Sequence, residues 1–269
     1  AAEGAPRDAL DLALALRGDT EAAYYCDQIG LFSKPEPRVF LGMDPERIRP
    51  QRPAWNPSGC FVDVGYAVLR DGFNPQAAFM GFKCGPPDKV VGHNHFDHNS
   101  FVISYAGSWV ASDPGYRDYF HPARRKYTVS SLGHNTIVLD LDEHYLADTN
   151  YRNLGHEQVN LAGGRIREFI AGERYDYVLG DAAAAYNDQE QVVLQRFGRQ
   201  VVFVKPNVFL MRDTLVAPHE HSFCWLLHTS ADNVIRVDGG AAQAVSSSCL
   251  LQAHLFSPDG ITLTSASYP

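Results

Sequence analysis

The segment His93-Asn94-His95-Phe96-Asp97-His98-Asn99 places three imidazoles, one carboxylate and two amides within seven residues. Imidazole nitrogen and carboxylate oxygen are the donors that zinc and similar divalent ions take. Downstream, residues 100–105 and 108–113 read as two strands joined at Ala106-Gly107, a two-residue hairpin turn. If Tyr105 faces Ser108, Asp113 falls opposite Ser100 and returns a carboxylate to the edge of the histidine cluster. A second His-Asn pair, His134-Asn135, opens the apolar strand 136–139. Two histidines and an aspartate can thus converge from three strand ends.

Were 93–97 extended, His93, His95 and Asp97 would share one face. His95 would then ligate while His93, one pleat along, stays free for substrate. A metal-bound imidazole needs an acceptor behind it, and Asp97, Asn99 or Asn135 could serve. Residue types leave open whether the site is structural or catalytic, since three protein ligands leave a fourth position for water. Tyr116, Tyr119 and Tyr127 follow Asp113. A phenol whose pKa is lowered by neighbouring cations can move a proton, and spacing does not separate the three. His98, His121, His144, His156, His219, His221 and His254 have no partner legible in the sequence, and His228 reads as structural at the end of an apolar strand.

The elements that must position these groups are mostly strands. Besides those above, strands are expected over 65–70, 77–83, 165–171, 175–180, 192–197, 200–204, 208–215, 222–228, 234–237, 250–255 and 261–264. Short strands with turns such as Lys205-Pro206-Asn207 between them predict antiparallel sheets packed as a sandwich over 59–269. Residues 1–33 read as a helical segment: one helix over 9–16, stopped by Gly18, and a second capped by Asp19-Thr20. Two short helices cannot build a core alone, so they belong on something larger. Residues 34–58, rich in proline, read as a linker.

Composition narrows the function classes. A net charge of −8 over 269 residues argues against broad nucleic-acid binding, which depends on phosphate neutralisation. Locally, Arg117, Arg124, Arg125 and Lys126 form a basic stretch between Asp113 and His134, suited to an anionic ligand or to simple solvation. Cys26, Cys60, Cys84, Cys224 and Cys249 are scattered, with no Cys-x-x-Cys pair, which fits small core residues better than a zinc ribbon or disulfide framework. No apolar run reaches the ~18 residues of a membrane span. A phosphate-binding glycine loop, a Gly-x-Ser-x-Gly elbow and a His-Glu-x-x-His helix are absent from the sequence.

An ordered series carries a resemblance: Gly65-Tyr66-Ala67-Val68-Leu69-Arg70-Asp71-Gly72, then His93-Asn94-His95-Phe96-Asp97 with Ser100-Phe101, then Asp113-Pro114-Gly115, then Gly133-His134-Asn135-Thr136. Phe203-Val204-Lys205-Pro206 with Asp213, and His228, are compatible but weaker. Over roughly 61–258 the chain resembles the heparinase II/III-like polysaccharide lyases. That resemblance implies an (α/α) toroid followed by an antiparallel β-sandwich, with β-elimination of uronate-containing glycans between them. It implies a mainly structural zinc on His95, Asp113 and His134, and a catalytic His93 facing substrate. Tyr119 is implied as a further catalytic residue, while Tyr127 packs. Arg117, Arg124 and Arg125 would position carboxylates or sulfates.

Members of that family draw an Asn or His and a catalytic Tyr from the toroid. Here only two helices precede the β region, so the helical segment reads as the end of a toroid and the chain as part of a larger one. The implied partner is an acidic polysaccharide, with neither nucleic acid nor membrane, in the periplasm or outside the cell. The competing readings are a non-catalytic glycan-binding sandwich and a zinc-dependent hydrolase.

Overall fold

A computed structural model describes residues 18–28, 50–52, 54–90, 92–141 and 155–266. The helix expected over 9–16 and most of the linker lie outside the described residues. The chain divides into two units, Ala1–Asn56 and Pro57–Pro269. In the first, helix α1 (Thr20–Gln28) starts where the capping residue demands. The Asp19 carboxylate accepts from the backbone N–H of Glu21 at 3.0 Å and of Ala22 at 2.9 Å, satisfying two donors left open by the first turn.

The second unit is mainly β, and every strand pairing among its described residues is antiparallel. One sheet runs in order β1 (Gly59–Phe61), β2 (Tyr66–Arg70), β3 (Phe79–Lys83), β4 (Ser100–Tyr105) and β5 (Ser108–Ala111). A second has the order β10-β9-β8-β7, built from β7 (Arg165–Ala171), β8 (Tyr175–Asp181), β9 (Arg196–Val204) and β10 (Val208–Val216). Between them, β6 (Ile137–Leu139) pairs with β11 (Phe223–Trp225), and β12 (Val234–Asp238), β13 (Ala241–Val245) and β14 (Leu250–His254) form a separate three-stranded sheet.

The two larger sheets share one core because alternate residues face it. Ala67 and Leu69 of β2, Met80 and Phe82 of β3, and Phe101 and Ile103 of β4 meet Val178 of β8 and Phe197, Val201 and Phe203 of β9. Gly180 is required at the contact between sheets: a Cβ there would lie 2.0 Å from the Asn99 side-chain oxygen and 2.7 Å from the Phe82 ring. The five cysteines are all free, and burial pushes the Cys84 thiol up to about 12, so it behaves as an inert core residue.

Several strands differ from the sequence reading. Of the expected strands 192–197 and 200–204, residues 192–195 are not strand, and 196–204 form one continuous strand, β9, because Gly198 passes through the ladder opposite Thr214 without a turn. Residues 261–264 are not a strand, whereas β1 and β13 are strands that the sequence reading leaves out. The hairpin turn forms at Ala106 (φ 49°) and Gly107 (φ 78°), both left-handed as a type I′ turn requires. Its register is corrected by one residue. Tyr105 pairs with Ser108 and Ser104 with Trp109, but Ile103 pairs with Ala111, so Val110 is an inserted bulge residue.

At the centre of the core lies a charge. The inward alternation of β9 carries Arg199 into the apolar interior, where it has no exposed surface. Its guanidinium grips Asp213 on β10 in bidentate fashion at 2.8 and 2.6 Å. The remaining nitrogen, Nη1, donates to the backbone oxygens of Asn99 at 2.6 Å and Asn135 at 2.7 Å. All the guanidinium nitrogens therefore have partners, the condition under which a buried arginine is tolerated.

Replacing it leaves Asp213, whose side chain is only 15% exposed, without a counter-ion. Arg199→Met should lower unfolding free energy by about 3–5 kcal/mol, the usual cost of breaking a buried ion pair. Urea unfolding checks this, and the Arg199→Met/Asp213→Leu double variant should recover part of the loss.

A second expectation concerns pH. The His98 ring accepts at Nδ1 from Gly85 N–H at 3.1 Å and donates from Nε2 to the Leu161 carbonyl at 3.1 Å, so only the neutral tautomer fits. Burial, helped by the Lys83 charge, holds its pKa down at about 4. An unfolded histidine titrates near ~6.5, so the unfolded chain takes up the proton first as pH falls. Stability from His98 is full above that value and declines below it. Between pH 7.5 and 5 the native state should lose on the order of 2 kcal/mol on this account. The pH dependence of the urea midpoint should be flatter by that amount in His98→Asn.

Candidate metal centre

Each histidine of the cluster is delivered by a loop whose backbone is tied to the others. Residues 93–99 are not extended: His93 (φ 62°) and Asn99 (φ 58°) both have left-handed backbone. The loop is nevertheless fixed. Phe96 N–H donates to Val129 O at 2.9 Å, and Ser131 Oγ donates to Phe96 O at 2.7 Å. Thr136 Oγ1 and Gln158 Nε2 each donate to His98 O at 2.9 Å. The short turn Ser131–Gly133 then presents His134. Beyond β5, Asp113 folds back on itself, accepting from Gly115 N–H at 2.8 Å through Oδ1 and leaving Oδ2 free to face inward.

These constraints bring together the three residues marked for a metal. His134 Nε2 lies 3.2 Å from His95 Nδ1 and 3.3 Å from Asp113 Oδ2. A tetrahedral ion with bonds of ~2.0–2.2 Å holds its donors roughly 3.3–3.6 Å apart, so the spacing fits one ion with little movement. Asp97 belongs to the same group, its Oδ2 being 3.9 Å from His134 Nε2. The four residues can thus place one donor atom each around a common point.

The acceptors behind the histidines differ from those expected. His134 Nδ1 donates to the backbone oxygen of Ser130 at 2.7 Å, which fixes the tautomer and turns the Nε2 lone pair toward the cluster. Asn135 is used elsewhere: its Nδ2 donates to Phe101 O and Ser112 O, and its Oδ1 accepts from His228 N–H. Asn99 Nδ2 donates to Gly180 O and Phe197 O. Asp97 lies at the site itself, and its other oxygen is paired with the Lys83 ammonium. Lys83 is the residue missed by sequence reading. It ends β3 with no motif around it, and also donates to Asn94 Oδ1 at 2.6 Å.

Electrostatics ready the donors in different ways. Burial and the adjacent His134 hold His95 below the usual imidazole range, so it is neutral and able to ligate. Burial also opposes charge on His134, but its hydrogen bond to Asp113 and the Asp97 and Asp113 charges outweigh this and raise its pKa. Burial works against the Asp113 carboxylate too, yet the His134 contacts win and keep it ionised to lower pH than usual. Two carboxylates and one ammonium leave the cluster with one net negative charge, which favours a cation.

The other marked residues lie apart from the donors. His93 is exposed and turns away from the cluster, its Nδ1 standing 3.2 Å from the Tyr119 hydroxyl. Arg124 stacks over the Tyr119 ring at 4.2 Å and reaches Tyr116 at 5.3 Å. Arg117 Nη1 lies 3.1 Å from His121 Nε2, and Arg125 is exposed. The expectation that cations lower a tyrosine pKa does not hold for Tyr119. Its contact with Tyr116 raises it, and the Arg124 charge is too weak to reverse this, so the phenol stays protonated. Tyr127 is buried and packs edge-on against His228.

Cobalt(II) titrated into the protein should give the intense visible bands of a tetrahedral site. Asp113→Asn should weaken that binding by more than ~10-fold, the lower bound for disturbing even a second-shell partner. Absorbance titration measures both.

Comparison with known proteins agrees with this geometry at the level of family and fold. A family model described as heparinase II/III-like, C-terminal, matches residues 55–267. No curated protein matches the chain significantly in sequence. Among solved structures, heparan sulfate lyase HepC from Pedobacter heparinus superposes with a TM-score of 0.59 at 16% identity, over 90% of this chain and 32% of that one. A heparinase III with methylated lysines gives 0.57 at 18%, over 85% and 31%. Another heparinase III gives 0.54 at 17%, over 87% and 34%. The chain therefore spans about a third of the length of these structures. The family match covers the metal centre, both large sheets and their connections: the chain belongs to the heparinase II/III-like family, as its C-terminal β domain.

Proposed function

We propose that this domain is the β-sandwich half of a polysaccharide lyase that cleaves a uronate-containing acidic glycan by β-elimination. On this reading it works with an N-terminal toroid domain of the kind the family resemblance implies, and acts in the periplasm or outside the cell. Zinc is held by His95, Asp113 and His134, with Asp97 beside it. The donor set of two imidazoles and carboxylate supports zinc over magnesium or calcium, which take oxygen ligands. Bound there, the ion supplies a rigid tie between three loop ends.

The single observation that carries the reading is the assembly beside that tie, in which exposed Tyr119 contacts both His93 and Arg124. In β-elimination a base takes the C5 proton, the electron pair of the broken C5–H bond forms the C4–C5 double bond, and the C4–O bond breaks as that oxygen takes a proton from a general acid. The uronate carboxylate must be neutralised for C5 to lose its proton. His93, fixed by the metal-tied loop, stabilises or transfers charge at the reacting ring. Tyr119, kept protonated, suits donation to the departing oxygen better than abstraction at C5. Arg117, Arg124 and Arg125 supply the positive field for carboxylate or sulfate. A cleft lined by Trp109, Ser112, Asp113 and Asn233 adjoins the metal centre through Asp113 and gives a chain of sugars a surface to follow.

The test is the full-length gene product incubated with heparan sulfate, alginate and hyaluronan. The expected result is the ultraviolet absorbance of an unsaturated uronate on one of them. His93→Ala should lower kcat/KM by about 10²–10⁴-fold, the range for a lost acid–base group, with bound metal unchanged. New reducing ends without that absorbance would replace the lyase by a hydrolase. Saturable glycan binding with no cleavage would leave a carbohydrate-binding sandwich.

A further inference from the structure

Asp140, His156 and His221 converge at the far end of β6 from His134, and no residue is shared with the centre described above. We propose that they form a second transition-metal site, for zinc or an ion of similar preference. Three separate segments deliver the donors, and backbone hydrogen bonds hold each in place. Asp140 directly follows β6 and has left-handed backbone (φ 51°). Its N–H donates to Ser222 O at 2.9 Å, and Ser222 N–H returns a bond to Asp140 Oδ1 at 2.9 Å. That fixes the carboxylate and leaves Oδ2 facing the two imidazoles. His156 forms a two-bond bridge with Leu139, its N–H donating at 2.7 Å and its carbonyl accepting at 3.0 Å. His221 lies two residues before β11, the strand paired with β6.

Around Asp140 Oδ2, His221 Nδ1 stands at 2.5 Å and His156 Nε2 at 3.9 Å. A tetrahedral ion asks for roughly 3.3–3.6 Å between donors, so one gap must open and the other close, each by about 1 Å or less. Side-chain torsions supply that without moving the strands. An Asp–His ion pair alone accounts for only one of the two rings. The second ring is what points to a shared ligand: His156 is set edge-on to His221, the ring centroids 5.6 Å apart at 82°, with its Nε2 toward the same oxygen. Two neutral imidazoles and one carboxylate are a borderline-soft set that favours zinc over calcium or magnesium. The Asp140 and His156 side chains are each 40% exposed, so an ion can enter from solvent and keep a water as its fourth ligand. The two sites sit at opposite ends of a short strand, at most about 20 Å apart along the backbone.

The test is metal stoichiometry. Protein loaded with zinc and freed of excess is assayed by elemental analysis, alongside His156→Ala, His221→Ala and Asp113→Asn. The inference expects two equivalents in the wild type, one in each single variant, and none in His156→Ala/Asp113→Asn. His156→Ala keeps its backbone bridge, and circular dichroism checks that both histidine variants remain folded. One wild-type equivalent that survives Asp113→Asn but is lost in both histidine variants would also support the second site, while removing the first. The inference is overturned if the wild type binds none, or if both histidine variants keep the full wild-type stoichiometry.

Discussion

The positioning of the candidate site depends on one buried cation. Arg199 reaches from the second sheet through the apolar core and holds the carbonyl oxygens of Asn99 and Asn135 with a single nitrogen. Asn99 closes the loop that carries His95 and Asp97, and Asn135 directly follows His134. The two loops that carry the candidate donors are therefore pinned to a common point from behind. A hydrophobic pair in place of both Arg199 and Asp213 could recover much of the stability, because a buried ion pair regains little of its desolvation cost. What an aliphatic side chain lacks is directed donors for two carbonyls that no strand ladder satisfies. The polar interaction is explained by placement rather than by net stabilisation.

The same division runs through the centre itself. Behind the candidate donors, hydrogen bonds tie the loops together: Ser130 O on His134, Thr136 and Gln158 on the His98 carbonyl, Lys83 on Asp97. In front, His93, Tyr119 and Arg125 are exposed. His93 leaves the direction of His95 because its own backbone is left-handed, a conformation costly for a residue with a Cβ. The strain turns one imidazole outward while its neighbour two residues on turns inward. An extended strand would have sent both the same way.

Much of this was legible in the sequence, and the exceptions have physical reasons. The order His-x-His, Asp-Pro-Gly, His-Asn-Thr marks His95, Asp113 and His134, and the structure brings those side chains together. Their density sets them apart from packing residues. The hairpin was legible down to its turn, but not the bulge at Val110, since nothing local distinguishes an inserted valine from a paired one. β13 was missed because Ala241, Ala242 and Ala244 have weak strand propensity, and it is held by neighbours on both sides. Gly198 looked like a break between two strands, whereas Arg199 beside it needs the ladder to continue. Lys83 and Ser130 carried no signal, because what matters is a position in space for one and a backbone carbonyl for the other. His156 and His221 had no legible partner for the same reason: a bridge to Leu139 and a strand pairing bring them to Asp140, and neither contact is local in sequence.

Lys83 also bears on why the centre is tuned for a cation yet not overcharged. Lys83 pairs with Asp97, while the His134 contacts keep Asp113 ionised to lower pH than usual. A divalent ion bound there would leave the centre with one net positive charge. An anionic ligand approaching that face meets the charge of the centre together with that of Arg124 and Arg125. The salt bridge beneath the site thus sets the sign of the field above it, although Lys83 itself is only 10% exposed at its side chain.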